Sequence, residues 1–207
     1  MNSREHFRQE RGRIRVEIER NRTPEQRQYS DDLRARRAAY DALPGGVKKE
    51  INELEVFRAF AKVAPVSIDA TSERNAAPPE PDVCCTIDGI TYYFELGEIT
   101  DQPVARSTAI ALKTDEPTGC AFSQDVPFAS ILSNKATKKY LTSGAPVDLL
   151  LYYRKQYPPW KQYFSGMVNA NENHIRAVLK SNAGPFDRLW IFDFWEDRVL
   201  LSVSSVS

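Results

Sequence analysis

Asp82 and Glu95 are the residues whose types and spacing could do chemistry, because they flank a segment centred on Asp88-Gly89. Asp-Gly between two alternating stretches is a strong hairpin signal: a type I′ turn needs positive φ at both central residues. With Asp88 and Gly89 in those places, Ile87 pairs with Ile90, Thr86 with Thr91, Cys84 with Tyr93 and Asp82 with Glu95. The turn fixes this register. One face then carries Val83, Cys85, Ile87, Ile90, Tyr92, Phe94 and Leu96, and the other Asp82, Cys84, Thr86, Thr91, Tyr93 and Glu95.

Directly opposed side chains have Cβ atoms about 4.5–5.5 Å apart. Two carboxylates at that separation repel unless a proton or a cation lies between them. Oxygen ligands of this kind suit Mg²⁺ or Mn²⁺. Such an ion polarises a phosphoryl oxygen and acidifies a water, which is the chemistry of phosphodiester hydrolysis. The plainer reading is a pair of solvated acids at a hairpin end; the apolar face beside them and the elements around them weigh against it.

Those elements are as follows. Residues 1–45 are rich in Arg and Glu and form a charged arm of one or two solvated helices, broken at Thr23-Pro24. Leu43-Pro44-Gly45-Gly46 separates the arm from a domain over 46–207. Apolar spacing predicts a helix from about Val47 to Val63, ended by Pro65, and Val66-Ser67-Ile68 reads as a short strand. A Pro-rich connector over 76–81 leads into the hairpin, and 100–126 reads as loop. A helix is expected from about Pro127 to Leu141, then a buried central strand at Val147 to Tyr153. An aromatic loop, a helix near Glu172 to Lys180, and strands at Leu189 to Phe194 and Val199 to Val203 complete a mixed α/β chain.

Pro81-Asp82 and Glu95-Leu96-Gly97, the acids thirteen residues apart, resemble the motif of the PD-(D/E)xK nuclease superfamily. The order helix, three strands, helix, strand over residues 47–153, about half of the chain, is also similar to that family's core. The resemblance implies a restriction-endonuclease-like core, with a C-terminal helix and strands added and an N-terminal helical arm. It implies a divalent-metal-dependent endonuclease acting on DNA, with Asp82 and Glu95 as metal ligands.

The family often adds a Glu from the first core helix. Glu55 matches that residue and would join Asp82 and Glu95 in holding the cation or a water, with Glu53 and Glu50 as competitors. One departure is serious: Gly97 stands where the family has a lysine that orients the attacking water and stabilises developing negative charge. In some members that lysine has moved to the following helix, where this chain has Lys135, Lys138 and Lys139. Against an apolar stripe of Phe128, Leu132, Ala136 and Tyr140, Lys135 lies at the edge and is the first choice. Lys139 is the second, and Lys138, well outside the stripe, reads as solvated. Glu98 alternates away from Glu95 and would join only through a bulge at Gly97.

Lys plus Arg and Asp plus Glu both total 28, which does not mark an obvious nucleic-acid binder. Eleven of the cations and eight of the acids lie in residues 1–45, so the body carries an acidic excess that a bound cation would offset. Cys84 and Cys85 point to opposite faces and make a poor disulfide or metal pair. His6 and His174 have no partner at ligand spacing. The absence of a signal-peptide core and of a long apolar run leads to the expectation of a reduced, cytoplasmic protein without a membrane partner. Assembly with further copies is left open. The aromatic cluster of Tyr152, Tyr153, Tyr157, Trp160, Tyr163 and Phe164, with Arg154, Lys155 and Lys161, reads first as packing and second as a base-stacking platform. Two further expectations come from other classes: a catalytically inactive nuclease-fold module that binds nucleic acid or protein, and a protein-interaction domain whose arm folds onto a partner.

Overall fold

The structure, a computed structural model, describes residues 9–10, 12–14, 17, 20–99, 128–154, 166, 168–181 and 184–204. Contacts divide the chain into two units, Met1–Lys48 and Lys49–Ser207. The first contains helix α1 (Pro24–Ala42). Thr23 caps it: its Oγ1 accepts from the Gln26 N–H at 3.3 Å, and the Gln26 side chain accepts from the Thr23 N–H at 3.0 Å. No residue of α1 is buried. Its surface is knit by the pairs Arg34–Asp31 and Arg37–Asp41, each at 2.9 Å. Such exposed pairs contribute only a few tenths of a kcal/mol.

Helix α2 (Gly45–Val63) starts just before the division. After it come β1 (Arg74–Asn75), β2 (Val83–Ile87), β3 (Ile90–Glu98), α3 (Phe128–Ala136), β4 (Val147–Tyr153), α4 (Glu172–Ser181), β5 (Arg188–Asp193) and β6 (Arg198–Ser204). The six strands form one mixed sheet in the order β1 to β6. The pairs β3–β4 and β4–β5 are parallel and the rest antiparallel. Asp88 and Gly89 have φ of 50° and 80°, as a type I′ turn requires. The expected register follows, from Ile87 opposite Ile90 to Val83 opposite Phe94.

Parallel neighbours need crossovers, and crossovers cover faces. On one face Val56, Phe57 and Phe60 of α2 pack on Phe94, Leu96, Leu150, Trp190 and Phe192. On the other, Leu132 of α3 and Ile175 of α4 pack on Leu149, Leu151, Ile191 and Leu201. All seven residues of β4 are consequently buried. Cys84 and Tyr93, on the more polar hairpin face, are buried in this second cluster rather than facing water. Two element expectations need correction. Val66 to Ile68 supplies only an isolated bridge from Ile68 to Ile87, and the edge strand is Arg74–Asn75. The helix expected to reach Leu141 ends at Ala136. The expected loop over 100–126 lies outside the described residues, as do His6, Lys155, Tyr157, Trp160, Lys161, Tyr163 and Phe164. Among the described residues no helix is long and apolar enough to cross a membrane.

One core acid strains this packing. Asp148 on β4 is buried; its Oδ2 accepts from Trp190 Nε1 at 2.7 Å, while its Oδ1 has no hydrogen-bond partner among the described residues. Burial pushes its carboxyl up to about 6, and the Trp190 bond only partly opposes that rise. A carboxyl raised on folding stabilises the native state fully below its unfolded pKa and loses that contribution as pH climbs through the folded value. Asp148→Asn is therefore expected to flatten the fall in stability between about pH 4 and pH 6, leaving the variant on the order of 2 kcal/mol more stable than wild type at pH 7. Urea denaturation across that pH range checks it; an unchanged slope would refute it.

Candidate functional site

The hairpin ladder, continued one pair past Val83 and Phe94, brings Asp82 to the level of Glu95. Asp82 Oδ2 accepts the Leu96 N–H at 2.9 Å, which fixes its carboxylate against β3. Glu95 is only 2% exposed, and its Oε1 accepts from Lys135 Nζ at 2.5 Å and from Lys138 Nζ at 2.7 Å. Lys135 Nζ also donates to the Leu96 carbonyl at 2.6 Å and stands 4.0 Å from Asp82 Oδ2. One ammonium thus gathers two carboxylates and a carbonyl.

Gly97 makes that approach possible. A Cβ built there would lie 2.8 Å from Leu151 Cδ2, 3.4 Å from Ile131 Cγ2 and 3.8 Å from Lys135 Cε. A side chain at 97 would meet Leu151 at its first atom, and the stem of Lys135 from α3 lies at contact distance from the same spot. The β3–β4 ladder continues without a bulge through Glu98, so Glu98 remains on the face away from Glu95.

The helix α2 contributes Glu53 rather than Glu55. Glu53 is buried, and Lys49 Nζ contacts both Glu53 Oε1 and Asp82 Oδ1 at 2.9 Å. Two positions on a helix lie about 200° apart, so Glu55 points elsewhere. Its carboxylate pairs with Arg154 at 2.6 Å and is 53% exposed. Arg154 also donates to Asn52 Oδ1 and lies over the Phe194 ring.

Lys138 and Lys139 exchange the roles expected of them. Once α3 ends at Ala136 the chain turns, with the Lys138 N–H bonded to the Lys135 carbonyl, and a helical wheel no longer describes it. Lys138 swings onto Glu95. Lys139 is exposed and, among the described residues, pairs with none of the three carboxylates. Lys49 escaped notice altogether, although Lys49 and Glu53 stand at the i,i+4 spacing that pairs charges on a helix.

The electrostatics follow from burial and these cations. Burial works against the charge of Asp82, but the Leu96 N–H, Lys49 and Lys135 together hold its carboxyl below the usual range. Glu53 moves the other way: burial, aided by the charge of Asp82, outweighs Lys49 and raises it. Lys49 and Lys138 lose some hydration, yet their carboxylate partners keep both above the ordinary lysine value. Burial and the nearby Glu95 charge also raise Tyr140.

Three acids and three lysines therefore alternate: Glu53, Lys49, Asp82, Lys135, Glu95, Lys138. Among the described residues no three His, Cys, Asp or Glu side chains form a metal-holding group on their own. The set around Lys135 Nζ is two carboxylates and a backbone carbonyl. An all-oxygen set of that composition suits Mg²⁺ or Mn²⁺, which take one or two carboxylates and complete their shell with water.

No protein-family model matches the chain, and no curated protein or solved structure matches it.

Gly97→Ala tests the close approach directly. It forces the buried Leu151 side chain to shift, with an expected loss of about 1–3 kcal/mol of stability. Urea unfolding measures this, and a loss below roughly 0.5 kcal/mol would mean the space over residue 97 is not filled as described.

Proposed function

We propose that the chain is a divergent member of the PD-(D/E)xK superfamily that hydrolyses phosphodiester bonds of DNA at a site built on Asp82 and Glu95. The observation that carries this reading is the placement of Lys135: a lysine absent from position 97 is supplied from the following helix, across Gly97, to the same two acids. The succession α2, β1, β2, β3, α3, β4 is consistent with the family's restriction-endonuclease-like core of helix, three strands, helix, strand. Glu53 supplies the helix-borne acid that the resemblance assigned to Glu55.

A divalent ion held by Asp82 and Glu95, with the Leu96 carbonyl, would offset phosphate charge and acidify a water when bound. The rest falls to the chain itself. The Leu96 N–H orients the Asp82 carboxylate. Lys135 keeps its stem packed and its ammonium among oxygens, so it can orient a water and offset charge developing on a phosphoryl oxygen. The arm's eleven Lys and Arg offer phosphate contacts that do not depend on base sequence.

One observation favours a second reading. Three lysines already balance the three acids, so the network could be a structural one in a binding module without catalysis.

Supercoiled and linear DNA incubated with Mn²⁺, with and without EDTA, separates the two. Cleavage that EDTA stops is expected of wild type, with Glu95→Ala inactive and Lys135→Ala reduced by about 10²–10³-fold. DNA binding without cleavage in any divalent ion would favour the module, and robust cleavage by Glu95→Ala would dispose of the site.

A further inference from the structure

The cations that meet carboxylates around α2 and β3 differ in what they would leave behind if drawn away. Lys49, Lys135 and Lys138 serve Glu53, Asp82 and Glu95, and Arg58 serves Glu73, all acids with side chains no more than 12% exposed. Arg154 is different: its partner Glu55 is 53% exposed. A buried acid stripped of its cation keeps an uncompensated charge, whereas an exposed one turns to water at little cost. Arg154 is therefore the cation best able to engage an anion from outside.

Its place and its plane are both fixed. Arg154 is the first residue past β4 and Phe194 the first past β5, and the Phe194 N–H donates to the Tyr153 carbonyl at 3.2 Å. The guanidinium lies 5.1 Å from the centre of the Phe194 ring and donates to Asn52 Oδ1 at 3.0 Å and Glu55 Oε2 at 2.6 Å. Those bonds use two of the five donors in a fork whose geometry matches phosphate. Asn52 adjoins Glu53, which shares Lys49 with Asp82, so α2 links Arg154 to the site. Tyr152 links them again: burial raises its hydroxyl, the charges of Glu98, Glu53 and Asp82 add to the rise, and Arg154 opposes it. Leu149 stands opposite Glu95, so Arg154 lies about 16 Å further along the strand direction, at the carboxyl-end rim where α/β sheets take ligands. A cleft of about 580 Å³ opens alongside, lined by Glu55 and Phe194 together with Arg58 and Lys62.

We infer that Arg154 is a substrate-binding residue that grips a backbone phosphate of DNA several nucleotides from the scissile bond and leads that strand into the cleft along α2. The inference deepens the reading of Asp82 and Glu95 as a phosphodiesterase site and rests on it. Glu55 and Asn52 hold the guanidinium in plane over Phe194 until a phosphate arrives, and Glu55 then gives up its bond and is hydrated. The contact is made to the backbone, so it positions the strand and reads no base.

The test is fluorescence anisotropy of the full chain with labelled DNA duplexes of two unrelated sequences, over a salt series at fixed Ca²⁺. Arg154→Ala is expected to weaken binding roughly tenfold on both duplexes and to lower the slope of log affinity against log salt by about 1. Arg154→Lys keeps the charge and should retain most of that slope while losing part of the affinity. Glu55→Gln removes the competitor for the guanidinium and should tighten binding by about two- to fivefold. A merely structural pair gives another pattern: both variants lose stability in urea and neither changes DNA binding. Unchanged affinity and slope in Arg154→Ala, with wild type still cutting DNA in a Glu95-dependent way, would overturn the role of Arg154 and leave the site intact. No DNA binding by wild type would overturn both. Should circular dichroism find Arg154→Ala unfolded, Glu55→Gln decides, and unchanged or weaker binding there would overturn the inference.

Discussion

A carboxylate removed from water must be given a cation or a proton, and Glu95 is 2% exposed in the middle of a sheet covered on both faces. Everything around it answers that demand. Lys135 and Lys138 reach the same oxygen from beyond β3, one from α3 and one from the turn after it. Asp82, tied to the Leu96 N–H, brings a second negative charge to the same ammonium and makes the demand larger. A pair of acids held this way is costly as architecture alone. In the proposed function that cost is offset when the pair serves as a cation-binding centre, which the lysines otherwise occupy.

Geometry makes that answer available. The two-residue turn at Asp88 and Gly89 sets the register, and the register sets which acids meet. The parallel pairing of β3 with β4 then obliges the chain to cross back over the sheet, and α3 lies on the face that Glu95 shares with Leu149 and Leu151. Gly97 carries no side chain of its own there, and Leu151 and the Lys135 stem come within 4 Å of where its Cβ would be. The other face receives α2, whose apolar stripe of Val56, Phe57 and Phe60 fixes the helix so that Glu53 and Lys49 meet Asp82 at the sheet's rim.

Much of this was legible from residue order because short-range rules govern it. Asp-Gly specified the hairpin, the unbroken apolar run specified β4, and the edge position of Lys135 on its helix pointed to its reach. The misses at Glu53 and Lys49 depend on contacts between distant segments, and the others on where short elements end. Glu53 and Glu55 are indistinguishable until the packing of Phe57 and Phe60 fixes the rotation of α2. Lys138 and Lys139 trade places because α3 stops a turn early. The edge strand moved from Val66–Ile68 to Arg74–Asn75 because a two-residue strand carries no periodicity to read. Lys49 was missed because a helix-surface lysine looks solvated until its partner across the sheet is known.

The most direct measurement is anomalous diffraction from crystals grown with Mn²⁺. The expected result is a manganese peak bonded by Asp82 and Glu95, with the Lys135 ammonium moved off Glu95 to make way for it. Strong anomalous signal elsewhere, or none while Lys135 still grips Glu95 at saturating Mn²⁺, would contradict it.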